Sequence, residues 1–171
     1  MSIHSIRLKL AGIGVMLLAG SLAFAQNGTL KVKTNCGRAG VFVDDQYVGP
    51  AANFGMTRGY SVAAGEHNIT LREPRYESAT TRVTVAAGKT VTVKQDLKAL
   101  PTPKGPFGRL RTPGHDKYTA VYVNGQYMGH ADEFDNFAQG LLLPPGEYTV
   151  KLGTGAEQKV TLKANETTIV K

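Results

Sequence analysis

The densest set of potential metal ligands lies in the stretch His130 to Asn136, HADEFDN, where Asp132, Glu133, Asp135 and Asn136 put several oxygen donors into one short loop. Hard oxygens of this kind suit a calcium ion, yet the run lacks the glycine and the distal glutamate of an EF-hand loop. Its plain reading is a solvated acidic loop, and neither a metal nor any other cofactor is assigned to the chain. The histidines His67, His115 and His130 are not paired at zinc-ligand intervals. No nucleophile motif and no phosphate loop is present, so a non-enzymatic protein is expected.

Two other groups of residues are suited to binding. The aromatic pairs Phe42/Tyr47 and Tyr122/Tyr127 can stack against sugar rings or anchor a protein partner if they lie on an open sheet; the structural alternative is cross-strand stabilisation. The cations Lys31, Lys33, Arg72, Arg75 and Arg82 give the first half of the chain a positive surplus that suits an anionic polymer or lipid headgroups. The plain alternative is a solubilising strand edge, because lysine blocks edge-to-edge pairing.

The elements that must position these residues centre on a repeat. VFVDDQYVG, Val41 to Gly49, returns as VYVNGQYMG, Val121 to Gly129. In the second copy Asn124-Gly125 is a strong hairpin signal, since a type I′ turn needs positive φ at both central positions. Asp44-Asp45 is a poorer pair for the same turn, although Asp tolerates the left-handed region better than most residues. Two-residue loops predict that Val43 faces Gln46, Phe42 faces Tyr47 and Val41 faces Val48, with Val123/Gln126, Tyr122/Tyr127 and Val121/Met128 as their counterparts. One face is then aliphatic and core-directed, the other aromatic.

Around the hairpins, LKVKT at Leu30 to Thr34 reads as a half-buried strand with Leu30 and Val32 inward and both lysines outward. Further strands are predicted at 60–62, 67–71, 81–85 and 90–93, with a turn over Arg72 to Glu77, and in the second copy at 109–111, 141–143, 148–152, 159–162 and 167–170. Phe54 and Phe134, at matching places in the two loops, are expected to plug the end of each unit. KALPTPKGP, Lys98 to Pro106, has three prolines and reads as an extended linker. The expected organisation is therefore 26–97, a linker over 98–106, and 107–171, each copy a small all-β sandwich.

Residues 1–25 combine Arg7 and Lys9, an apolar run and Ala23-Phe24-Ala25, which is the pattern of a signal peptide cleaved after Ala25. The run is too short and too glycine-interrupted for a comfortable membrane span, so an extracytoplasmic, non-integral protein, periplasmic or secreted, is expected. Export makes nucleic acid an unsuitable target. The net charge of +7 falls to +5 without the leader, and the surplus lies in the first copy and the linker. Cys36 is the only cysteine; it reads as a small buried apolar residue, with an intermolecular bridge as the functional alternative.

The strand-turn-strand VFVDDQYVG and its repeat resemble the PEGA domain, whose signature is close to VYVDGKYVG. The glycine turns at Gly65 and Gly146 and the Tyr76-Glu77 turn also match. Cys36-Gly37-Arg38-Ala39 stands in place of the naming tetrapeptide in the first copy, and a longer segment through His115-Asp116-Lys117 replaces it in the second. The resemblance implies two tandem sandwiches, of the transthyretin-like or immunoglobulin-like kind, in an envelope or surface protein. The expected partner is an envelope protein or an anionic or polysaccharide polymer, and the alternative is a carbohydrate-binding module built on the aromatic pairs.

Overall fold

Left-handed residues close both organising hairpins: Asp44 and Asp45 have φ of 48° and 65°, and Asn124 and Gly125 have 50° and 76°. The computed structural model describes residues 26–136 and 138–171, so the leader read from residues 1–25 lies outside the described residues. The Asp-Asp pair works as a turn because Asp44 is tied down from outside it. Its Oδ1 accepts the Asn68 amide at 2.9 Å, its Oδ2 lies 2.7 Å from His67 Nδ1, and its own amide donates to the Asn68 carbonyl. Asn124 repeats the device, with Oδ1 accepting the Thr149 amide at 2.8 Å. A side chain that captures backbone groups of the adjacent strand offsets the poorer intrinsic turn propensity of Asp-Asp.

The chain is all-β, in two sandwiches. The first contains β1 (Asn27–Lys33), β2 (Gly40–Val43), β3 (Gln46–Pro50), β4 (Tyr60–Ala63), β5 (Gly65–Arg72), β6 (Ala79–Val85) and β7 (Thr90–Lys94). The second contains β8 (Gly108–Arg111), β9 (Ala120–Val123), β10 (Gln126–His130), β11 (Leu141–Leu143), β12 (Gly146–Leu152), β13 (Gln158–Leu162) and β14 (Thr167–Ile169). Each sandwich stacks a three-stranded sheet on a four-stranded one, ordered β4-β1-β7 on β3-β2-β5-β6, then β11-β8-β14 on β10-β9-β12-β13. The last strand of each unit returns to run parallel beside the first, β7 along β1 and β14 along β8. Periodicity predicts strands but not partners, so this closure is a finding of the structure.

Alternation decides what is buried. Leu30 and Val32 point inward from β1 to meet Val41 and Val43 of β2 and Ile69 and Leu71 of β5, while Leu110, Val121, Val123, Val150 and Leu162 form the second core. Phe54 and Phe134 belong to these cores and Cys36 is buried in the first. Each hairpin departs from the expected register at its third pair. Val41 faces Gly49, not Val48, and Val121 faces Gly129, not Met128, because a bulge inserts Val48 and Met128 as extra residues. Gly49 and Gly129 accommodate it with φ of 141° and 137°. A Cβ at either glycine would also lie 3.1 or 2.9 Å from the Phe54 or Phe134 ring, so the loop phenylalanine packs where only glycine leaves room.

The linker is less free than three prolines suggest. The Lys98 carbonyl accepts the Glu77 amide at 2.8 Å, Ala99 pairs with Tyr76, and the Leu100 amide donates to the Arg75 carbonyl at 2.7 Å. Residues 98–100 therefore belong structurally to the first unit. The expected turn over Arg72 to Glu77 starts one residue later, since Arg72 is still in β5.

The His67–Asp44 contact makes stability pH-dependent. The Asp44 carboxylate beside Nδ1 is the main cause that raises the His67 pKa, and the Ala63 carbonyl 2.9 Å from Nε2 helps. Asp44 is held below the usual carboxylate range chiefly by the Asn68 amide. The histidine contribution is complete below about pH 6.5 and is lost as pH rises through the raised folded value; the aspartate contribution is complete above about pH 4 and is lost as pH falls through the lowered one. His67→Gln is expected to lower the melting temperature at about pH 5.5 and much less at about pH 9, by under about 1 kcal/mol because Asp44 is half exposed. An equal loss at both pH values, read by calorimetry, would refute the assignment.

Candidate functional site

The aromatic pairs meet each other. Phe42 on β2 and Tyr127 on β10 pack edge to face with ring centroids 5.3 Å apart, and Tyr47 lies 5.2 Å from Tyr127. Within the hairpins the expected pairs form as well, Phe42 with Tyr47 at 5.5 Å and Tyr122 with Tyr127 at 6.0 Å. Phe42 is 1% and Tyr127 4% exposed, while Tyr47 and Tyr122 are half-buried. The outer faces of the two four-stranded sheets thus form a third apolar cluster, with Ala120, between the modules. Gly40 is essential to its shape, since a Cβ there would lie 2.6 Å from the Tyr127 ring. In the docked arrangement Phe42 and Tyr127 are not free to stack on a ligand.

Burial has an electrostatic consequence in this cluster. It pushes the Tyr47 phenol up to about 12 and raises Tyr127 further, and it raises Tyr122 against the lowering influence of Arg72. The Tyr47 and Tyr127 hydroxyl oxygens are buried beside each other, and neither makes a well-directed hydrogen bond among the described residues. Each such oxygen costs about 1–3 kcal/mol of desolvation, which offsets part of what ring burial contributes.

The acidic loop is folded rather than merely solvated. Ala131–Glu133 is a 3-10 turn, and His130, 5% exposed, lies with Nε2 2.9 Å from Asp132 Oδ1 and Nδ1 2.8 Å from Glu133 Oε1. Lys117 approaches Asp132 at 3.8 Å, Arg38 of the first module reaches Glu133 at 3.5 Å, and the Asp135 carbonyl accepts from Arg111. The carboxylates of Asp132 and Glu133 thus face cations and an imidazole. Among the described residues no group of three or more His, Cys, Asp or Glu side chains is arranged to hold a metal ion. Nothing in the hydropathy of VYVNGQYMGH marks His130 as buried, which is why sequence reading passes over it.

The cations divide into two kinds. Arg72 lies 4.3 Å from the Phe42 ring centroid and 2.7 Å from Asp45. Arg75 grips Glu73, a buried acid the sequence did not single out, through Nε at 2.7 Å and its backbone amide at 2.8 Å. Glu73 in turn adds to burial in raising the Cys36 thiol pKa. Arg82 pairs with Glu66. Lys31 and Lys33, by contrast, point outward from β1, and the parallel register sets Lys33 directly beside Lys94 of β7.

Two open grooves of about 270 Å³ flank the tip of the second hairpin. One, between the modules, is lined by Arg72, Pro74, Tyr76, Leu100, Gln126 and others, and the second lies between Tyr122, Lys151 and Glu157.

Comparison with known families places the sandwich that carries the lysines. Residues 27–100 match the family model of the PEGA domain. The first module is a PEGA domain. Such domains occur in extracellular and periplasmic proteins and are not known as catalytic domains. Among the described residues no helix is long and apolar enough to cross a membrane. The curated proteins give no match. Among solved structures the Bacillus anthracis TIE protein is similar at 12% identity and a TM-score of 0.33, over 85% of this chain and 33% of that one, so the chain spans about a third of that protein's length.

The cluster joining the PEGA domain to the second module yields two expectations. Phe42→Ala should cost about 3 kcal/mol, and Gly40→Val should drive the modules apart with both sandwiches intact. Small-angle scattering should then show a larger radius of gyration for Gly40→Val with unchanged far-ultraviolet circular dichroism; an unchanged radius would refute the packing role. Because burial holds Tyr47 and Tyr127 protonated, stability should fall as pH rises from about 10 towards about 12, the span in which an unfolded tyrosine ionises and a buried one does not. A tyrosinate absorbance titration showing all seven tyrosines ionising together near pH 10, without unfolding, would contradict this.

Proposed function

We propose that the protein is an exported, non-catalytic envelope-binding protein of two docked PEGA-like modules. The second module is a divergent copy of the first, and binding takes place on the open three-stranded sheet of the first module. One observation carries this reading. Lys31 and Lys33 point outward from β1 just past Leu30, its last residue paired with β4, and Lys94 of the outer strand β7 lies directly beside Lys33. Like charges set side by side in a sheet are destabilising, so this arrangement is costly unless an anion joins it.

The packing of the two modules supports the same reading. The aromatic faces pack on each other, which leaves the three-stranded sheets facing outward on opposite sides of the pair. The carbohydrate-binding alternative requires Phe42 and Tyr127 to be uncovered, and it is the weaker reading for that reason. Cosedimentation of residues 26–171 with an envelope fraction tests the proposal. Retention at low salt that falls several-fold at about 0.5 M salt is expected, since exposed charges are screened over a few ångströms there. No retention at either salt would reject envelope binding.

A further inference from the structure

The lysine face has a neighbour that identifies the kind of anion it takes. Outward-pointing residues of the β4-β1-β7 sheet are Asn27, Thr29, Ser61, Ala63, Thr90 and Thr92 towards one end and Lys31, Lys33 and Lys94 towards the other. No acid stands among them; the nearest in sequence, Asp96, follows the end of β7. The basic end is flanked by the loop from Gly55 to Gly59. Continuing the β1–β4 register past Tyr60 brings that loop alongside Lys31 and Lys33, and Lys31 Nζ donates to the Met56 carbonyl at 2.7 Å. A Cβ on Gly59 would strike Thr29 Cγ2 at 2.2 Å and come 3.6 Å from Lys31 Cγ, which places the loop against the outward side chains. The loop carries Arg58, exposed, and Met56, whose side chain is 80% exposed, the most exposed large apolar residue described.

Three lysines on the sheet face and Arg58 in the adjoining loop, with an exposed apolar side chain in that same loop, match a surface that is anionic at its boundary and apolar just beneath. We propose that this end of the first module docks on an anionic phospholipid surface, with Lys31, Lys33, Arg58 and Lys94 among the headgroup phosphates and Met56 inserted between them. The proposal rests on the envelope-binding reading and names the partner at the same face. A soluble polyanion would use the lysines equally well but gives Met56 no role. The charge distribution agrees: residues 107–171 are neutral overall, and the second module lies on the far side of the first from this face, where it would project away from the bilayer.

Flotation of residues 26–171 with phosphatidylglycerol/phosphatidylcholine vesicles, against pure phosphatidylcholine vesicles and against soluble poly(glycerol phosphate), tests it. Binding to the anionic vesicles only is expected. The triple variant Lys31→Gln, Lys33→Gln, Lys94→Gln should lose about fivefold per lysine, close to a hundredfold in all. Met56→Ser should weaken vesicle binding several-fold and leave any polymer binding unchanged. A triple variant at the exposed Lys104, Lys159 and Lys171 alters net charge equally and should bind like the parent protein; melting curves of all variants confirm folding. Met56→Ser binding vesicles like the parent, the two triple variants behaving alike, or polymer binding as tight as vesicle binding would each overturn the proposal. Retention on whole envelope with no vesicle binding would overturn it while sparing the envelope-binding reading; loss of both would remove the two together.

Discussion

The arrangement depends on the parity of two hairpins. In a strand neighbouring side chains point to opposite faces, so a two-residue turn that holds Phe42 opposite Tyr47 also holds Val41 and Val43 on the reverse side. A slip by one residue would exchange the valines of the core for the aromatics of the module interface. The bulge after that pair is the device that lets both demands be met, because it realigns the chain at Gly49 after the aromatic pair is already set. The same construction in β9 and β10 supplies the partner surface, so a single duplicated motif makes both halves of the contact between the modules.

Most of the fold was legible because alternation is a direct physical signature of a half-buried strand. Leu30, Val32, Ile69 and Leu71 are buried as their spacing requires. Alternation states which side of a sheet a residue occupies, however, and not what covers that side. The outward face of Phe42 and Tyr47 looked the same in sequence as the outward face of Lys31 and Lys33, yet one is closed by the other module and the other is open. The bulges escaped the pattern because Val48 and Met128 are apolar and fit either register; only the glycines that follow hint at them. Lys94 was within reach of the same reasoning, since Thr90, Thr92 and Lys94 alternate with Val91 and Val93, but its placement beside Lys33 needed the parallel pairing of the first and last strands.

The contact between the modules is a compromise between ring packing and polarity. Four aromatic rings gain from edge-to-face and tilted contacts, and Arg72 adds a cation over the Phe42 ring. Against this stand two phenol oxygens removed from water. Phenylalanine already occupies position 42 where the second copy has Tyr122, so one of the four hydroxyls has been dispensed with. The Arg38–Glu133 pair at the margin, with Arg38 largely exposed, orients the modules more than it binds them.

The parallel return of β7 to β1 also governs when this protein can fold. β1 is the central strand of its sheet, and the strand that completes it begins at Thr90, more than sixty residues later in the chain. A chain appearing from its N-terminus onwards can close the β2–β3 hairpin early, but Leu30 and Val32 stay without their full cover until nearly the whole module has emerged. The hairpin is a local event and the sandwich is a late one. Each module therefore holds its hairpin before its core, and it becomes a sandwich only once its last strand has been released.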